Sequence, residues 1–391
     1  MQPKGLIWIY TNMKKLCVIF GGASPEHDIS IITAMQLCAK MEEKYKIEKI
    51  YLDLNNRFFL ATKIKDLLTF NNKSALKLKE IIISNGSVYF KGALFKKAFD
   101  IDCVINCCHG GVGENGSLAG FFETNGIKHT SASPLSAHIA MNKSLAKELI
   151  KDIVPVVKGF KVNKNNYNEM YTLIDAQLND DLIVKPNSLG SSIGVKPCTK
   201  QNYTEQINAI FEMGDEALVE NRIVSMQELN QAAYLTSEGL NLSAIENPIC
   251  KSSFLTFEDK YNNSGKGKGE DRVVPAKISP ELEEKIIEAT TKIYNKLNMQ
   301  GVVRIDYILD LQSNTLYFNE INTIPGSMAF YLFEPVGKDY IALMEELIEN
   351  ATFIKPATYF NTNILKNKKI GYWQLTLRVV YYHRGVIWKK K

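Results

Sequence analysis

Residues 301–327 read "GVVRIDYILDLQSNTLYFNEINTIPGS", and this stretch contains two candidate strands, "VVRIDYIL" and "LYFNEIN", joined by the polar turn "DLQSNT". Alternating apolar and polar residues on both sides of a short turn predict adjacent antiparallel strands. Because side chains alternate between the faces of a strand, Arg304 and Asp306 share one face. Glu320 and Asn322 share one face of the partner strand for the same reason. If these faces coincide, a guanidinium and three oxygen-bearing side chains converge.

The three oxygen-bearing side chains, Asp306, Glu320 and Asn322, match the ligands that Mg²⁺ takes in proteins. Mg²⁺ prefers one or two carboxylates together with carbonyl, water and phosphate oxygens. A network in which arginine only neutralises carboxylates on a sheet face would explain any single pair equally well. Four such residues in this register favour a site for a metal ion and a nucleotide.

A second polar loop, within "DLIVKPNSLGSSIGVKPC" at 181–198, joins two short apolar strands, the first of which ends near Lys185. Its backbone N–H groups and hydroxyls are able to surround phosphate oxygens. It is not a Walker A loop, which requires G-x-x-x-x-G-K-[ST] at the start of a helix. A serine-glycine hairpin alone is more often only a turn, so the loop supports a nucleotide site only together with the carboxylate-bearing strands.

The N-terminal part of the chain has the pattern of a parallel sheet covered by helices. "LCVIF" at 16–20 reads as a buried strand, "GGASPEHDISIITAMQLCAKM" as a turn and helix, and "YKIEKIYLDL" as a second strand. Ser24 is the predicted N-cap of that helix, with Pro25 at its first position. The strand "DCVINCCHG" and the helix "SLAGFFETNG" repeat the unit, and "SAHIAMNKSLAKELIKD" predicts one further helix. The predicted fold class is α/β, with an α+β arrangement in the C-terminal part.

The turn "HGGVGENG" offers a competing interpretation, because Gly111, Gly113 and Gly116 have the G-x-G-x-x-G spacing between a strand and a helix. This spacing is typical of nicotinamide-dependent oxidoreductases, which also carry an acidic residue about 20 positions later. The segment "GIKHTSASPLSAH" carries no such acid. His109 and Glu114 instead suggest a substrate loop, with a purely structural hydrogen-bonding role as the alternative for His109.

Length and composition predict a protein of several globular domains. The chain has 391 residues, of which 45% are hydrophobic, so we expect two or three packed domains. No apolar run is long enough to cross a bilayer and the first twelve residues lack signal-peptide features, so a cytoplasmic location without a membrane partner is expected. The seven cysteines lack metal-ligand or disulfide spacing and are expected to be buried, reduced thiols.

The net charge of +5 is concentrated at the two ends of the chain. Residues 366–391 hold eight Lys or Arg and no acid, so removing those eight and Lys4 from +5 leaves −4 for the body. The body therefore gives no support to nucleic-acid binding, whose footprint is a concentrated basic surface. We expect the natural start to be Met13, with 1–12 and 366–391 as additions to the globular body.

Seven motifs in a fixed order carry a resemblance to a known enzyme family. They are "FGGASPEHDIS", "HGGVGENGSLAG", "MNK", "KPNSLGSSIGV", "DKY", "RIDY" and "NEINTIPG". In this order they resemble the D-alanine:D-alanine ligases of the ATP-grasp superfamily, from about Lys15 to Ile354. The resemblance implies an ATP-grasp fold with an N-terminal open parallel-sheet domain at 13–131 and two ATP-clamping domains, at 132–221 and 222–358.

The resemblance also implies an activity, which is the ATP-dependent ligation of two D-alanines through a D-alanyl phosphate, for peptidoglycan synthesis. The implied enzyme is a cytoplasmic homodimer that uses two Mg²⁺ ions, or Mn²⁺. Within the family the alternative is D-alanine:D-lactate ligase, in which the tyrosine of "DKY" is typically histidine, whereas this chain has Tyr261. Outside the family, the alternatives are the nicotinamide-dependent oxidoreductase and a non-catalytic binding module.

Individual residues take roles from the resemblance. The first D-alanine is held by Glu26, linked through Ser191 and Tyr261 in a hydrogen-bonded group. The acyl phosphate and the tetrahedral oxyanion are stabilised by Arg304. The residues that bind ATP, with the two glutamates at its adenosine part, are Lys143, Lys185, Glu220, Glu228 and Lys260. The residue near the second substrate is His109, and the metal ligands are Asp306, Glu320 and Asn322. The loop "DKYNNSGKGKGE" at 259–270, which carries Lys260 and Tyr261, is predicted to be a lid that excludes water.

The chain departs from the family pattern at one place. Many of these ligases have Ser or Thr shortly after the metal motif to receive the carboxylate of the second substrate, whereas this chain reads "PGSMAFYLFEP". Ser327 and Tyr331 are both candidates for that role. The general base for the second amine is not identified from the sequence.

Overall fold

The structure is a computed structural model that describes residues 15–64, 70, 78–92, 94, 96–249 and 272–351. The described strands belong to an N-terminal, a central and a C-terminal sheet. The N-terminal sheet contains β1 (Leu16–Gly21), β2 (Ile47–Leu52), β3 (Phe58–Leu60), β4 (Lys79–Ser84), β5 (Ser87–Phe90), β6 (Lys97–Asp100), β7 (Cys103–Asn106) and β8 (Lys128–His129). The central sheet contains β9 (Gly159–Val162), β10 (Asp181–Pro186), β11 (Lys196–Thr199) and β12 (Ala217–Asn221). The C-terminal sheet contains β13 (Met226–Thr236), β14 (Gly239–Pro248), β15 (Arg272–Val273), β16 (Val303–Asp310) and β17 (Thr315–Asn322).

The helices surround these sheets. They are α1 (His27–Met41), α2 (Gly111–Glu114), α3 (Ser117–Thr124), α4 (Pro134–Met141), α5 (Lys143–Ile150), α6 (Tyr167–Gln177), α7 (Tyr203–Glu212), α8 (Pro280–Lys296), α9 (Phe330–Phe333) and α10 (Tyr340–Glu349). Two 3₁₀ turns, Gly326–Ala329 and Glu334–Val336, flank α9. Within the described residues, no helix has both the length and the apolar character that crossing a membrane requires.

The N-terminal sheet has the strand order β6-β5-β4-β3-β2-β1-β7-β8. Strand β1 runs parallel to β2 and β7, and β7 runs parallel to β8, which confirms the predicted β-α-β units. Every residue of β1 and β2 is buried, as expected for parallel strands covered on both faces. Strands β3 to β6 extend this sheet in antiparallel fashion, so the sheet is mixed rather than purely parallel.

Two predicted helix boundaries are wrong. Helix α1 begins at His27 with Glu26 at its N-cap, because the Ser24 hydroxyl accepts the Glu26 N–H at 3.0 Å in a turn that precedes the helix. The segment predicted as one helix around "AMNKS" is two, because Asn142 has an extended backbone (φ −89°, ψ 95°) and its side chain caps the second helix. An asparagine side chain competes with helical hydrogen bonding in this way.

The central and C-terminal sheets contain the strands predicted from the two polar loops. Strand β10 pairs antiparallel with β11 around the serine-glycine loop, in a sheet of order β11-β10-β12-β9. Strand β16 pairs antiparallel with β17 in a sheet of order β15-β14-β13-β16-β17. The predicted strand pair is therefore confirmed.

The cores explain where the helices pack. Helices α4 and α5 contribute Ala140, Ala146 and Ile150 to the same buried cluster as Val303 of β16. A separate cluster fills the space between the central sheet and helices α6 and α7. All six cysteines among the described residues are buried and reduced, as predicted.

Candidate active site

A row of polar side chains crosses the C-terminal sheet. Asp306 on β16 pairs with Glu320 on β17 and with Asn230 on β13, and Asn230 pairs in turn with Glu246 on β14. The predicted coincidence of the two polar faces is confirmed. Asn230 and Glu246 were missed by the sequence analysis, although the alternation of polar residues in "QELNQ" hints at a polar face.

Arg304 and Asp306 form a bidentate pair beside this row. The Arg304 Nε and Nη2 donate to Asp306 Oδ1 and Oδ2, both at 2.7 Å, and Asn322 Nδ2 donates to Asp306 Oδ2 at 2.9 Å. Burial lowers the pKa of Arg304, but the Asp306 carboxylate outweighs it and holds that pKa well above its ordinary value. Arg304 is therefore a permanent, rigidly oriented positive charge.

The donor set next to Arg304 fits Mg²⁺. Asp306 and Glu320 face each other across the strand pair, and Asn322 contacts Asp306 directly. Two carboxylates and an amide leave further coordination positions for water and phosphate oxygens, which is the arrangement that Mg²⁺ favours. These three residues are able to hold the metal that the sequence predicts.

A small cleft opens beside the metal-ligand candidates. Glu320 and Asn322 line one part of it, Lys143 another, and Glu26 and Glu114 a third. Lys143 is buried, donates through Nζ to the Leu189 carbonyl at 2.5 Å, and lies 3.3 Å from Glu320 Oε2. The structure therefore brings this lysine next to the candidate metal carboxylates, as a phosphate-binding role requires.

Lys185 and Glu220 meet in a buried cluster that also contains Lys147. Lys185 Nζ lies 2.6 Å from Glu220 Oε2, and Lys147 Nζ contacts Glu220 Oε1. Burial raises the pKa of Glu220, but the two ammonium groups outweigh burial and lower it overall. Burial also lowers the pKa of Lys147, to about 8. Lys147 was missed, although its place four residues after Lys143 puts both on one helix face.

The start of α5 is tied to the loop that follows β10. The Lys143 N–H donates to the Asn187 carbonyl at 2.9 Å and the Ser144 N–H to Asn187 Oδ1 at 2.9 Å. Asn187 Nδ2 in turn donates to Asn142 Oδ1 at 3.0 Å, and Asn187 is fully buried. The helix break at Asn142 thus joins α5 to the central sheet.

Glu26 and Ser191 meet at the edge of the cleft. The Ser191 hydroxyl donates to Glu26 Oε1, and Ser191 has the left-handed backbone (φ 53°) that side chains rarely adopt. A Cβ at Gly190 would lie 3.0 Å from Glu26 Oε2, and one at Gly110 only 2.7 Å from the same oxygen. The backbone therefore approaches this carboxylate closely from two sides. Of the predicted hydrogen-bonded group of Glu26, Ser191 and Tyr261, the first two are therefore in contact.

Glu114, which the sequence analysis placed in a suggested substrate loop, is a second buried carboxylate near Glu26. It accepts the Gly110 N–H at 2.7 Å and the Ile324 N–H at 2.9 Å. Burial, followed by the nearby charge of Glu26, raises the pKa of Glu114 to about 8. Because Glu114 fills the glycine turn and takes the Gly110 N–H itself, this turn is a poor cradle for the pyrophosphate of a dinucleotide. Two adjacent acids in a cleft are suited to holding a cation.

His109 is hydrogen-bonded into the structure. Its Nε2 lies 2.8 Å from Thr33 Oγ1, and its ring is also hydrogen-bonded to the Ile324 backbone. Burial, with a smaller contribution from Arg304, lowers the pKa of His109 to about 4, so the ring is neutral at physiological pH. These contacts agree with the structural alternative for this histidine.

The remaining predicted residues lie elsewhere or outside the described ranges. Glu228 is on β13, opposite Ile308 and two residues before Asn230, so it lies on the same face as the polar row. Lys260 and Tyr261 lie outside the described residues, as does the whole predicted lid at 259–270.

The structure separates the two candidates for the second carboxylate. Ser327 Oγ donates to Gln36 Oε1 at 2.8 Å, on the side of α1. Tyr331 donates to Glu246 Oε1 at 3.2 Å, and the Arg272 guanidinium lies 4.2 Å from its ring centroid. Burial raises the pKa of Tyr331 to about 12, although Arg304 and Arg272 both act to lower it. Tyr331, rather than Ser327, thus lies among the arginines.

Comparison with protein-family models assigns most of the chain. Residues 15–132 match the model described as D-ala D-ala ligase N-terminus, and residues 151–349 match the one described as D-ala D-ala ligase C-terminus.

Curated proteins and solved structures give the same grouping. The D-alanine–D-alanine ligase of Thermosipho melanesiensis is 31% identical over 91% of this chain and 99% of its own length. That of Campylobacter jejuni is 33% identical over 85% of this chain and 93% of its own. The crystal structure of D-alanine–D-alanine ligase from Helicobacter pylori aligns with a TM-score of 0.72 and 29% identity, over 88% of this chain and all of that one. The VanG D-Ala:D-Ser ligase from Enterococcus faecalis aligns with a TM-score of 0.74 and 26% identity, over 86% of this chain and 99% of that one.

Proposed function

This chain belongs to the D-alanine–D-alanine ligase family, and we propose that the side chains around the cleft perform the reaction of that family. The reaction is the ATP-dependent ligation of two D-alanines for peptidoglycan synthesis, on an ATP-grasp fold. The D-lactate and oxidoreductase alternatives are not favoured. The observation that supports the proposed site is the register that sets Arg304 and Asp306 opposite Asn322 and Glu320.

In the first step, a carboxylate oxygen of one D-alanine attacks the γ-phosphorus of ATP. The bond from that phosphorus to the bridging oxygen breaks, which leaves ADP and D-alanyl phosphate. Charge spreads over the γ-phosphoryl oxygens, where Lys143 and Lys185 would supply positive charge from buried positions. Asp306, Glu320 and Asn322 would hold the divalent cations, two in our proposal, and these would supply further positive charge for the phosphate.

In the second step, the amine of the other D-alanine attacks the carbonyl carbon of D-alanyl phosphate. The attack forms the C–N bond and a tetrahedral oxyanion. Its collapse restores the carbonyl and expels phosphate with the electron pair of the broken C–O bond, and the proton that the amine loses passes to phosphate or solvent. Arg304 is the fixed cation best suited to this oxyanion, because Asp306 holds its guanidinium in one orientation.

The first D-alanine would bind through its ammonium group to the acidic corner formed by Glu26 and Glu114. Ser191 donates to one oxygen of Glu26, and the other oxygen lies beside the backbone at Gly190. An ammonium group there would favour the charged form of Glu114, whose pKa burial raises to about 8. Tyr261 is expected from the resemblance to complete this group.

The second D-alanine would bind through its carboxylate near Tyr331. The Arg272 guanidinium over the Tyr331 ring and the nearby charge of Arg304 support an anion site, in which the bound carboxylate would replace Glu246 as the acceptor of the Tyr331 hydroxyl. Ser327 faces α1 instead. This arrangement would leave the amine of the second D-alanine free to point toward the D-alanyl phosphate.

The activity is tested by supplying purified protein with ATP, Mg²⁺ and D-alanine. We expect phosphate release that depends on D-alanine and a matching amount of D-alanyl-D-alanine, measured by coupled phosphate assay and mass spectrometry. D-Lactate and D-serine, each offered beside D-alanine, are expected to be used less. Phosphate release that does not require D-alanine, or a predominant depsipeptide product, would contradict the assignment.

Tyr331→Phe is expected to raise the KM for the second D-alanine by about 10-fold, because a hydrogen bond to a charged group is lost. The KM for ATP should stay within about twofold, since the Tyr331 hydroxyl bonds Glu246 rather than a candidate ATP-binding lysine. Initial rates over a range of D-alanine concentrations separate the two sites, with Ser327→Ala as the matched control. An effect of Ser327→Ala without one of Tyr331→Phe would assign the role to the serine.

Three further expectations rest on the resemblance. We propose domains at 13–131, 132–221 and 222–358, which is supported by the location of one sheet in each range. A homodimer and a cytoplasmic location stay predictions. Sedimentation of the protein as a monomer at assay concentration would contradict the first of these two.

A further inference from the structure

Lys147 is a buried charge that the proposed reaction does not use. It lies on α5, and its side chain is 7% exposed, compared with 3% for its partner Glu220. Glu220 contacts two ammonium groups, since Lys185 Nζ binds its other oxygen at 2.6 Å. One carboxylate needs only one cation for neutrality, so the cluster holds one more ammonium group than charge balance requires.

The two lysines differ in their other contacts. Lys185 has a second acceptor, Asn319 Oδ1 on β17, at 3.2 Å. Asn319 is next to Glu320, so Lys185 lies between Glu220 and the strand that carries a metal-ligand candidate. Within the part of the chain that the structure describes, the acidic partner of Lys147 is Glu220 alone. Lys185 is therefore the ammonium group suited to move, and Lys147 the one suited to stay.

A carboxylate that loses its cation inside a protein is strongly destabilising, because it has already lost its hydration. If Lys185 leaves Glu220 for a nucleotide phosphate, the remaining charge on Glu220 must be balanced by another group. Lys147 already contacts Glu220 Oε1 and is able to do so without moving. The departure of Lys185 would also free Oε2 of Glu220 to accept a hydrogen bond from the adenosine part.

We propose that Lys147 is a positioning residue, the fixed counter-ion of Glu220 that allows Lys185 to transfer to ATP and Glu220 to accept the nucleotide. This inference rests on the proposed placement of Lys185 and Glu220 in the ATP site. It predicts that Lys147 affects ATP binding through Glu220 and leaves D-alanine binding nearly unchanged.

The test compares Lys147→Met with Lys147→Arg, Lys185→Met and Glu220→Gln in the full-length enzyme with Mg²⁺. The matched control is Lys151→Met, a lysine four residues later whose side chain is 56% exposed and pairs with Glu148. ATP affinity is measured by calorimetry, the KM values for ATP and D-alanine by initial rates, and folding by thermal unfolding. Should Lys147→Met not fold, Lys147→Gln replaces it, because glutamine can still donate a hydrogen bond to Glu220.

Lys147→Met is expected to weaken ATP binding about 10-fold or more, with the KM for D-alanine changed less than about twofold. Lys147→Arg should restore ATP affinity to within about threefold, because it keeps the charge. In the Glu220→Gln background, the effect of Lys147→Met on ATP affinity should shrink to less than about threefold, since no carboxylate remains to be balanced.

Two results would overturn the inference while leaving the ATP site in place. One is unchanged ATP affinity in folded Lys147→Met although Lys185→Met weakens binding; the other is an equal effect of Lys147→Met with and without Glu220. Unchanged affinity in both Lys185→Met and Glu220→Gln would instead contradict the proposed ATP site itself.

Discussion

Arg304→Met is expected to lower kcat by about 10²–10³-fold, equivalent to about 2.7–4 kcal/mol of transition-state stabilisation. The reason is that Arg304 is the partly buried, permanently charged group that would face the reacting carbonyl in the proposed site. Its two hydrogen bonds to Asp306, both 2.7 Å, mean that the guanidinium needs little reorganisation as charge develops. ATP affinity should change by less than about threefold, because Arg304 would act mainly in the transition state.

Two controls separate this effect from a loss of structure. Arg304→Lys keeps the charge but not the bidentate geometry, and should fall between the wild type and Arg304→Met. Arg57→Met removes a comparable but half-exposed pair, Arg57 with Asp53, and should leave kcat unchanged. Single-turnover phosphate release and ATP calorimetry are the measurements. A fall in ATP affinity as large as the fall in kcat would assign Arg304 to ground-state binding instead.

Asp306→Asn is expected to lower kcat/KM for ATP by about 100-fold and to raise the Mg²⁺ concentration needed for half-maximal rate. Asparagine preserves the size of the side chain, so the change removes mainly one negative charge from a site of two carboxylates. It also removes the anionic partner of Arg304, which couples the two substitutions. The double variant with Arg304→Met should therefore lose less than the product of the two single effects.

The matched control for Asp306 is on the same strand. Asp310 lies four residues later, and its side chain accepts hydrogen bonds in the exposed turn between β16 and β17. Asp310→Asn should leave the Mg²⁺ dependence unchanged. Initial rates as a function of free Mg²⁺, with chelator as the zero point, are the measurement. Identical Mg²⁺ curves for Asp306→Asn and the wild type would remove Asp306 from the metal site.

The strand pair at the candidate metal site could be predicted because its information is local. Alternation in "VVRIDYIL" and "LYFNEIN" and the turn between them determine both the pairing and the shared face. The polar row beyond this pair could not be predicted, because Asn230 and Glu246 reach it only through the pairing of β13 with β14 and β16. That pairing joins segments far apart in the sequence, and its register depends on packing rather than on any local pattern.

The helix break at Asn142 was not predicted, for a different reason. Apolar spacing continues across Asn142, so periodicity alone predicts one helix there. The break is decided by hydrogen bonds to Asn187, a residue in a different sheet's loop. The clustering of Lys147 with Glu220 and Lys185 has the same origin, since it depends on how α5 sits against the central sheet. Contacts between distant segments are what the sequence pattern does not contain.

The short helix α5 fixes the distance between two parts of the proposed nucleotide site. Its first residue, Lys143, lies at the candidate phosphate end of the nucleotide site, and Lys147 lies at the Glu220 end. Four residues of α-helix span about 6 Å along the axis, and that length cannot be stretched. Asn187 holds the start of α5, and the core shared with β16 holds its buried face. The helix therefore sets a fixed distance between the backbone positions of Lys143 and Lys147. In the proposed site, a nucleotide that contacts both ends would therefore be selected for its length as well as for its charge.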